Sequence, residues 1–179
     1  METWEKSEVI YDGKVVRLRT GEVRLKNGRT AFREVIEHSG GVCVVPFNGK
    51  EVILVKQYRI ALEQYLLEAP AGKLEAGDAS PEYRGACEVE EETGHRPERM
   101  VSAGYAYSTV GYSSEVIHYY LAFDLAGTSQ RLDDEEDIEV VKMPLDEVRR
   151  QLAAHEFEDG KTVIALHALL QHLDAQEKG

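Results

Sequence analysis

Glu88, Glu91 and Glu92 stand at i, i+3 and i+4 within Pro81-Glu-Tyr-Arg-Gly-Ala-Cys-Glu-Val-Glu-Glu-Glu-Thr-Gly94, so a helix would bring all three carboxylates to one patch. Like charges at that spacing cost about a few tenths of a kcal/mol per pair. They also fall in the last helical turn, where the negative end of the helix dipole disfavours anions. A hard divalent cation resolves the conflict, because Mg2+ or Mn2+ takes oxygen ligands and keeps coordination positions for the phosphates of a substrate.

The helix that must carry this cluster has clear ends. Ser80 suits the N-cap, Pro81 the first helical position and Gly94 the residue that stops the helix. Ala86, Val89 and Thr93 form its other face, which is expected to pack on a core while the glutamates turn outward. Glu90 points away from the cluster and reads as an ordinary solvated residue. A glutamate run by itself usually marks a solvated face, so the residues upstream decide the reading. Glu68-Ala-Pro-Ala-Gly-Lys-Leu-Glu-Ala-Gly-Asp78 carries glycines at 72 and 77 and is expected to be a loop of fixed shape feeding the helix.

Loop and helix together resemble the Nudix box, a glycine, a spaced glutamate and a helix of the form Arg-Glu-apolar-x-Glu-Glu-x-Gly. Gly72, Glu88, Val89, Glu91, Glu92 and Gly94 occupy its places. Three positions depart from it. Asp78 stands where the family has Glu, one extra residue separates it from the helix, and Cys87 replaces the Arg that helps orient a ligand carboxylate. Arg84, four residues before Glu88, is within i, i+4 reach as a substitute; the alternative is a plain surface arginine.

The likeness extends along the chain. Val55-Lys-Gln-Tyr-Arg59, Glu68-Ala-Pro-Ala-Gly-Lys73, the stretch from Ser108 to Ala122, the acidic run Asp133-Asp-Glu-Glu-Asp137 and Asp159-Gly-Lys-Thr162, in that order, are similar to the ADP-ribose pyrophosphatase branch. That resemblance implies Mg2+-dependent hydrolysis of ADP-ribose to AMP and ribose 5-phosphate by a homodimer, with Mn2+ as a substitute ion. It also implies that Glu88 and Glu92 hold metal with the Ala71 carbonyl, Glu91 sharing or supporting them. The base that activates water would lie in the segment Leu132–Ile138, with Glu136 the first choice and Glu135 the second. Substrate contacts are expected at Gly72, Arg84, Arg59 and the region Tyr112 to Glu115. Without the resemblance, the acidic segment reads as mere solvation and Arg59 as a solvated strand end. Two alternatives stay open: a pyrophosphatase for another sugar nucleotide or a dinucleotide, and an ADP-ribose sensor that has lost turnover, motivated by Cys87 and the shifted Asp78. A calcium loop of the D-x-[DN]-x-[DN]-G type is absent from the sequence.

The rest of the chain limits the setting. At 179 residues with 42% apolar side chains it can bury one core. A formal charge of −12 makes nucleic acid an improbable partner, so the charge of a phosphorylated small molecule must be met locally, by metal and a few arginines. No run of about 18 apolar residues exists to cross a membrane, and the N-terminus has no targeting pattern, so a cytoplasmic setting is expected. Cys43 and Cys87 have no ligand-like spacing to the six histidines and read as small buried or half-buried side chains.

Periodicity supplies the framework. Lys14–Arg19 and Glu22–Lys26 alternate, Asn27-Gly28 is a turn and Thr30–Glu37 returns, giving an N-terminal antiparallel meander over 1–40 within the same domain, which the homodimer implied by the resemblance makes a candidate dimerisation element. The apolar runs Gly41–Phe47 and Glu51–Tyr58 fit interior strands, and Met100–Tyr107, Glu115–Phe123 and Ile138–Met143 alternate again. Helices are expected over Leu145–Ala154 and Thr162–Leu173, where His167 and His172 read as packing or surface residues. The expected fold is an α/β/α sandwich with a mixed central sheet over 41–179.

Overall fold

A computed structural model describes residues 1–132 and 135–177. Asp133 and Asp134 of the acidic run lie outside the described residues. The chain forms two compact units, Met1–Gly40 with Ala106–Ile117, and Gly41–Tyr105 with His118–Gly179.

The first unit is built on an antiparallel sheet of β1 (Thr3–Asp12), β2 (Arg17–Arg24) and β3 (Thr30–Glu37). The Asn27-Gly28 turn forms as expected, with Gly28 at φ 80° and its N–H on the Leu25 carbonyl at 3.0 Å. Two details differ from the sequence reading. The stretches read as separate alternating segments around Gly21 make one continuous strand. β1, which the sequence did not announce, pairs along it with register shifts between Trp4 and Lys6 and between Val9 and Tyr11. Each shift breaks the period-two pattern by which a strand is read. Residues 106–117 join this unit through Ile36, whose N–H donates to the Tyr112 carbonyl at 2.7 Å and whose carbonyl accepts from Ser114 at 2.9 Å.

The second unit holds the sandwich. β4 (Gly41–Pro46), β7 (Ala71–Lys73), β8 (His95–Tyr107) and β9 (Val116–Gly127) form a sheet in the order β7-β4-β9-β8; β5 (Glu51–Arg59), β6 (Gln64–Glu68) and β10 (Ile138–Pro144) form another in the order β10-β5-β6. Helices α1 (Pro81–Thr93) and α3 (Gly160–Gln176) both pack on β4, and α2 (Leu145–Ala153) packs on β10 and β5. β4 is buried throughout because each of its faces meets a helix, which is why its sequence is apolar without alternation. Val42 and Val44 face α1 and form a cluster with Val89, Tyr120 and Ala122. Cys43 faces the start of α3, its Sγ 3.9 Å from the Lys161 carbonyl. The approach of α1 to β4 depends on Gly85: a Cβ there would come within 2.8 Å of Val44 and 2.9 Å of Val42. Among the described residues no helix is long and apolar enough to cross a membrane.

Part of the stretch read as a loop is strand. Glu68 ends β6, and Ala71–Lys73 pair antiparallel with β4, matching Cys43 to Ala71 and Val42 to Gly72. A proline and two glycines hid strands this short.

Candidate active site

Helix α1 has the ends its sequence encodes. Ser80 accepts from the Tyr83 N–H at 3.0 Å, and Gly94 closes the helix at φ 67° with its N–H on the Glu90 carbonyl. Its glutamates, however, do not share one solvent-facing patch. Glu92 is 5% exposed and accepts from the Ala71 N–H of β7 at 3.3 Å, Glu88 is half-buried, and Glu91 is the most open of the three. The expectation that all three turn outward fails because β7 packs beside the helix and covers its last turn. Glu90 is half-buried rather than solvated, 3.6 Å from Arg131. Gly72 is the condition for this packing, since a Cβ on it would collide with the Glu88 carboxylate.

Arg84 occupies the cluster from one turn earlier. Its Nη2 donates to Glu91 at 2.5 Å, and its Nε lies 2.9 Å from Glu88, a charge contact outside hydrogen-bond alignment. Cys87 is half-buried and interacts instead with Tyr83, one turn back on the same helix. Asp78 closes a turn, accepting from the Glu75 N–H at 2.8 Å while its own N–H reaches the Glu75 carbonyl at 3.2 Å.

Arg84, Glu88 and Glu91 open onto a cleft of about 300 Å³ lined also by Lys73, Glu75, Arg131 and Glu136, whereas Cys87, Asp78 and the buried Glu92 are not among its lining residues. Lys73, Glu75 and Arg131 were not singled out from sequence. Lys73 ends the quoted Glu68–Lys73 motif, which is the one signal that could have found it. Glu135 is exposed and does not line the cleft. Tyr112 and Glu115 belong to the other compact unit, where Tyr112 is exposed and Glu115 lies 3.6 Å from His38.

Arg59 is committed to a buried carboxylate. It grips Glu68, whose side chain is 2% exposed, at 2.6 and 2.8 Å. Glu68 also pairs with Lys161, which lies 2.9 Å from Asp159, and Asp159 caps α3 by accepting from the Thr162 N–H at 3.0 Å. The Thr162 hydroxyl in turn accepts from the Ala69 N–H at 2.8 Å. The sequence pieces Glu68–Lys73 and Asp159–Thr162 are thus one network, which fixes the strand entering the Glu92 site. Burial works against the Glu68 charge, but Arg59 and Lys161 outweigh it and hold its carboxyl below the usual range.

The cluster is strained electrostatically in the opposite sense. Burial, with the charges of Glu88 and Glu136, pushes the Glu92 carboxyl up to about 8, although the Ala71 N–H and Arg59 oppose the rise. Burial likewise pushes Glu88 up to about 7 against the pull of Arg84, with Glu91 and Glu136 adding to it. A site that holds anions so unfavourably suits a cation, and its donors are all oxygen, the set preferred by Mg2+ and Mn2+. Among the described residues no three His, Cys, Asp or Glu side chains converge closely enough to cage a metal. The oxygen donors suit an ion that also takes water and phosphate oxygens into its shell.

Residues 37–166 match the family model described as the NUDIX domain. A methanol dehydrogenase activator of Bacillus methanolicus is 37% identical over 175 residues, covering 96% of this chain and 92% of its own length. An ADP-ribose pyrophosphatase of Bacillus subtilis (strain 168) is 36% identical, with 90% and 89% covered. A GDP-mannose pyrophosphatase of Cronobacter sakazakii is 34% identical, with 89% and 87% covered. The crystal structure of an ADP compounds hydrolase superposes with a TM-score of 0.87 over 99% of this chain and 97% of that one at 22% identity, a likeness of fold.

Proposed function

We propose that this chain, which belongs to the NUDIX domain family, hydrolyses the pyrophosphate bond of ADP-ribose to give AMP and ribose 5-phosphate. The observation that carries the reading is the make-up of the cleft. Carboxylates of Glu75, Glu88, Glu91 and Glu136 line one cleft of about 300 Å³ together with Lys73, Arg84 and Arg131, an arrangement suited to a diphosphate bound with a divalent cation. The relative named ADP-ribose pyrophosphatase supports the choice of substrate.

Glu88 and Glu92 would hold Mg2+, or Mn2+ in its place, with Glu91 and the Ala71 carbonyl in support. When bound, the ion supplies neutralisation of the phosphate oxygens. Lys73, Arg84 and Arg131 add fixed positive charge on the same cleft. Glu136 takes a proton from the attacking water as its oxygen bonds to one phosphorus, and the bridging P–O bond breaks to release the second phosphate. Arg59 and the residues from Tyr112 to Glu115 are assigned to substrate by the family resemblance, which also implies a homodimer.

GDP-mannose is the second reading. The carboxylates address the diphosphate and not the groups attached to it, and relatives named GDP-mannose pyrophosphatase match most of the chain. The test is turnover of ADP-ribose, ADP, ATP and GDP-mannose with Mg2+ in oxygen-18 water, with products separated by chromatography. AMP and ribose 5-phosphate from ADP-ribose, at higher kcat/KM than any other compound, is the expected result. A several-fold preference for GDP-mannose would move the assignment to that substrate. Tight ADP-ribose binding without products would make the chain a sensor.

A further inference from the structure

Helix α1 ends under the connection between β9 and β10. The last carbonyls of a helix have no partner within it, and here that connection supplies them. Thr128 donates its N–H to the Gly94 carbonyl at 2.7 Å, and Arg131 donates its N–H to the Glu91 carbonyl at 2.8 Å. Between them, the Gln130 amide nitrogen donates to the Glu92 carbonyl at 2.7 Å and to the Ile138 carbonyl at 3.2 Å. Both acceptors are carbonyls, so only the –NH2 of Gln130 can serve them, and its two hydrogens are both used. One of these carbonyls belongs to the helix residue whose side chain enters the candidate metal site. The other belongs to the first residue of β10, two positions beyond Glu136.

We propose that Gln130 is a positioning residue, a clamp that fastens both ends of the segment carrying Glu136 to the helix carrying Glu92 and so fixes Glu136 at the cleft. The proposal rests on the reading of Glu136 as the base. Three features make the placement effective. The fastening is to backbone on both sides, so it does not depend on the ionisation of any ligand. It spans the segment at residues 130 and 138, which limits how far Glu136 can swing. Gly94 lets the backbone that carries Gln130 run close to the helix end, because a Cβ there would meet the Gln130 backbone nitrogen at 2.9 Å.

The test uses Gln130→Met, which keeps the side chain's length and removes its donors, with Gln130→Ala as a second variant. Loss of the clamp should lower kcat by roughly ten- to a hundredfold, the size expected when a reacting group is displaced by an ångström. KM for ADP-ribose and the rise in Tm caused by Mg2+ should stay as in the native chain. In a Glu136→Gln background, Gln130→Met should change kcat by less than twofold, because the group it positions is already gone. Amide exchange at Arg131, measured by hydrogen–deuterium mass spectrometry, should rise in Gln130→Met. Native kcat in Gln130→Met, or the same fold loss in both backgrounds, would overturn the proposal. Native turnover in Glu136→Gln would remove the base and the clamp's role together. If the native chain leaves ADP-ribose intact, the functional reading fails on its own, and unchanged exchange at Arg131 in Gln130→Met then overturns the clamp.

Discussion

The carboxylate of Glu88 fills the space in which a side chain on Gly72 would begin. Two separate constraints, a glycine in β7 and a glutamate in α1, therefore describe one contact. Gly72→Ala would force Glu88 to another rotamer, at small cost because its carboxylate ends a flexible side chain, or push β7 off the helix, an overpacking that costs about 1–3 kcal/mol. The expected outcome is a lower Tm, a smaller rise in Tm with Mg2+ and a loss of kcat of at least roughly tenfold. Thermal melts with and without Mg2+, beside steady-state kinetics, would check it; native kinetics in Gly72→Ala would separate Glu88 from the chemistry.

The raised carboxyls set a pH dependence whose sign can be worked out. A carboxyl whose folded pKa lies above its unfolded value near 4.5 contributes stability that is complete below 4.5 and is lost as pH rises through the folded values. For Glu88 at about 7 and Glu92 at about 8, the metal-free protein should lose stability progressively between pH 4.5 and 8. Glu92→Gln should flatten that slope, and its apo form should be as stable as the native chain or more so at pH 8, while hydrolysis is nearly abolished. Mg2+ should stabilise the native chain increasingly as pH rises, and the variant less. Urea denaturation in EDTA at several pH values gives the slope. An unchanged slope in Glu92→Gln would show that the charge is relieved elsewhere.

Legibility in the sequence followed the range of the interactions. The helix was readable to its ends because Ser80, Pro81 and Gly94 act within a turn of their own positions. Arg84 and Glu88 were readable as a pair for the same reason. The burial of Glu92 was not, since it depends on β7, a strand of three residues whose proline and glycine neighbours read as loop. Nor was the meeting of Glu68 with Lys161, 93 residues apart in the chain. Gln130 carried no motif at all, because a clamp between two backbone carbonyls asks only for a long side chain with two hydrogens.

Arg84 and Cys87 invite a double-mutant cycle. With Arg84 on both Glu88 and Glu91, Arg84→Ala should remove the guanidinium that contacts both carboxylates and reduce kcat by roughly ten- to a hundredfold in the native chain. In the Cys87→Arg background a guanidinium is again adjacent to Glu88, so Arg84→Ala should then cost much less. The coupling is read from kcat/KM of the four proteins. Additive losses would show that the two positions do not share a task.

The Glu68 network should set an acid-sensitive term opposite in sign to that of the cluster. Glu68 is held below the usual carboxyl range, so its contribution to stability is present above pH 4.5 and fades as pH falls through its folded value. Lys161→Met removes one of its two cations and leaves Arg59, so the carboxylate remains buried with less compensation. Breaking a buried pair in this way costs roughly 3–5 kcal/mol, and the remaining Arg59 places the expectation near the lower end. Because protonation of Glu68 relieves the uncompensated charge in the variant, the gap between variant and native chain should be widest near pH 8 and narrower at pH 4. Urea denaturation at those two values measures it. The network also braces Ala69 through Thr162, two residues before the Ala71 N–H that meets Glu92, so the same variant should lower kcat even where it remains fully folded. An equal stability gap at both pH values would mean that Lys161 contributes packing rather than charge.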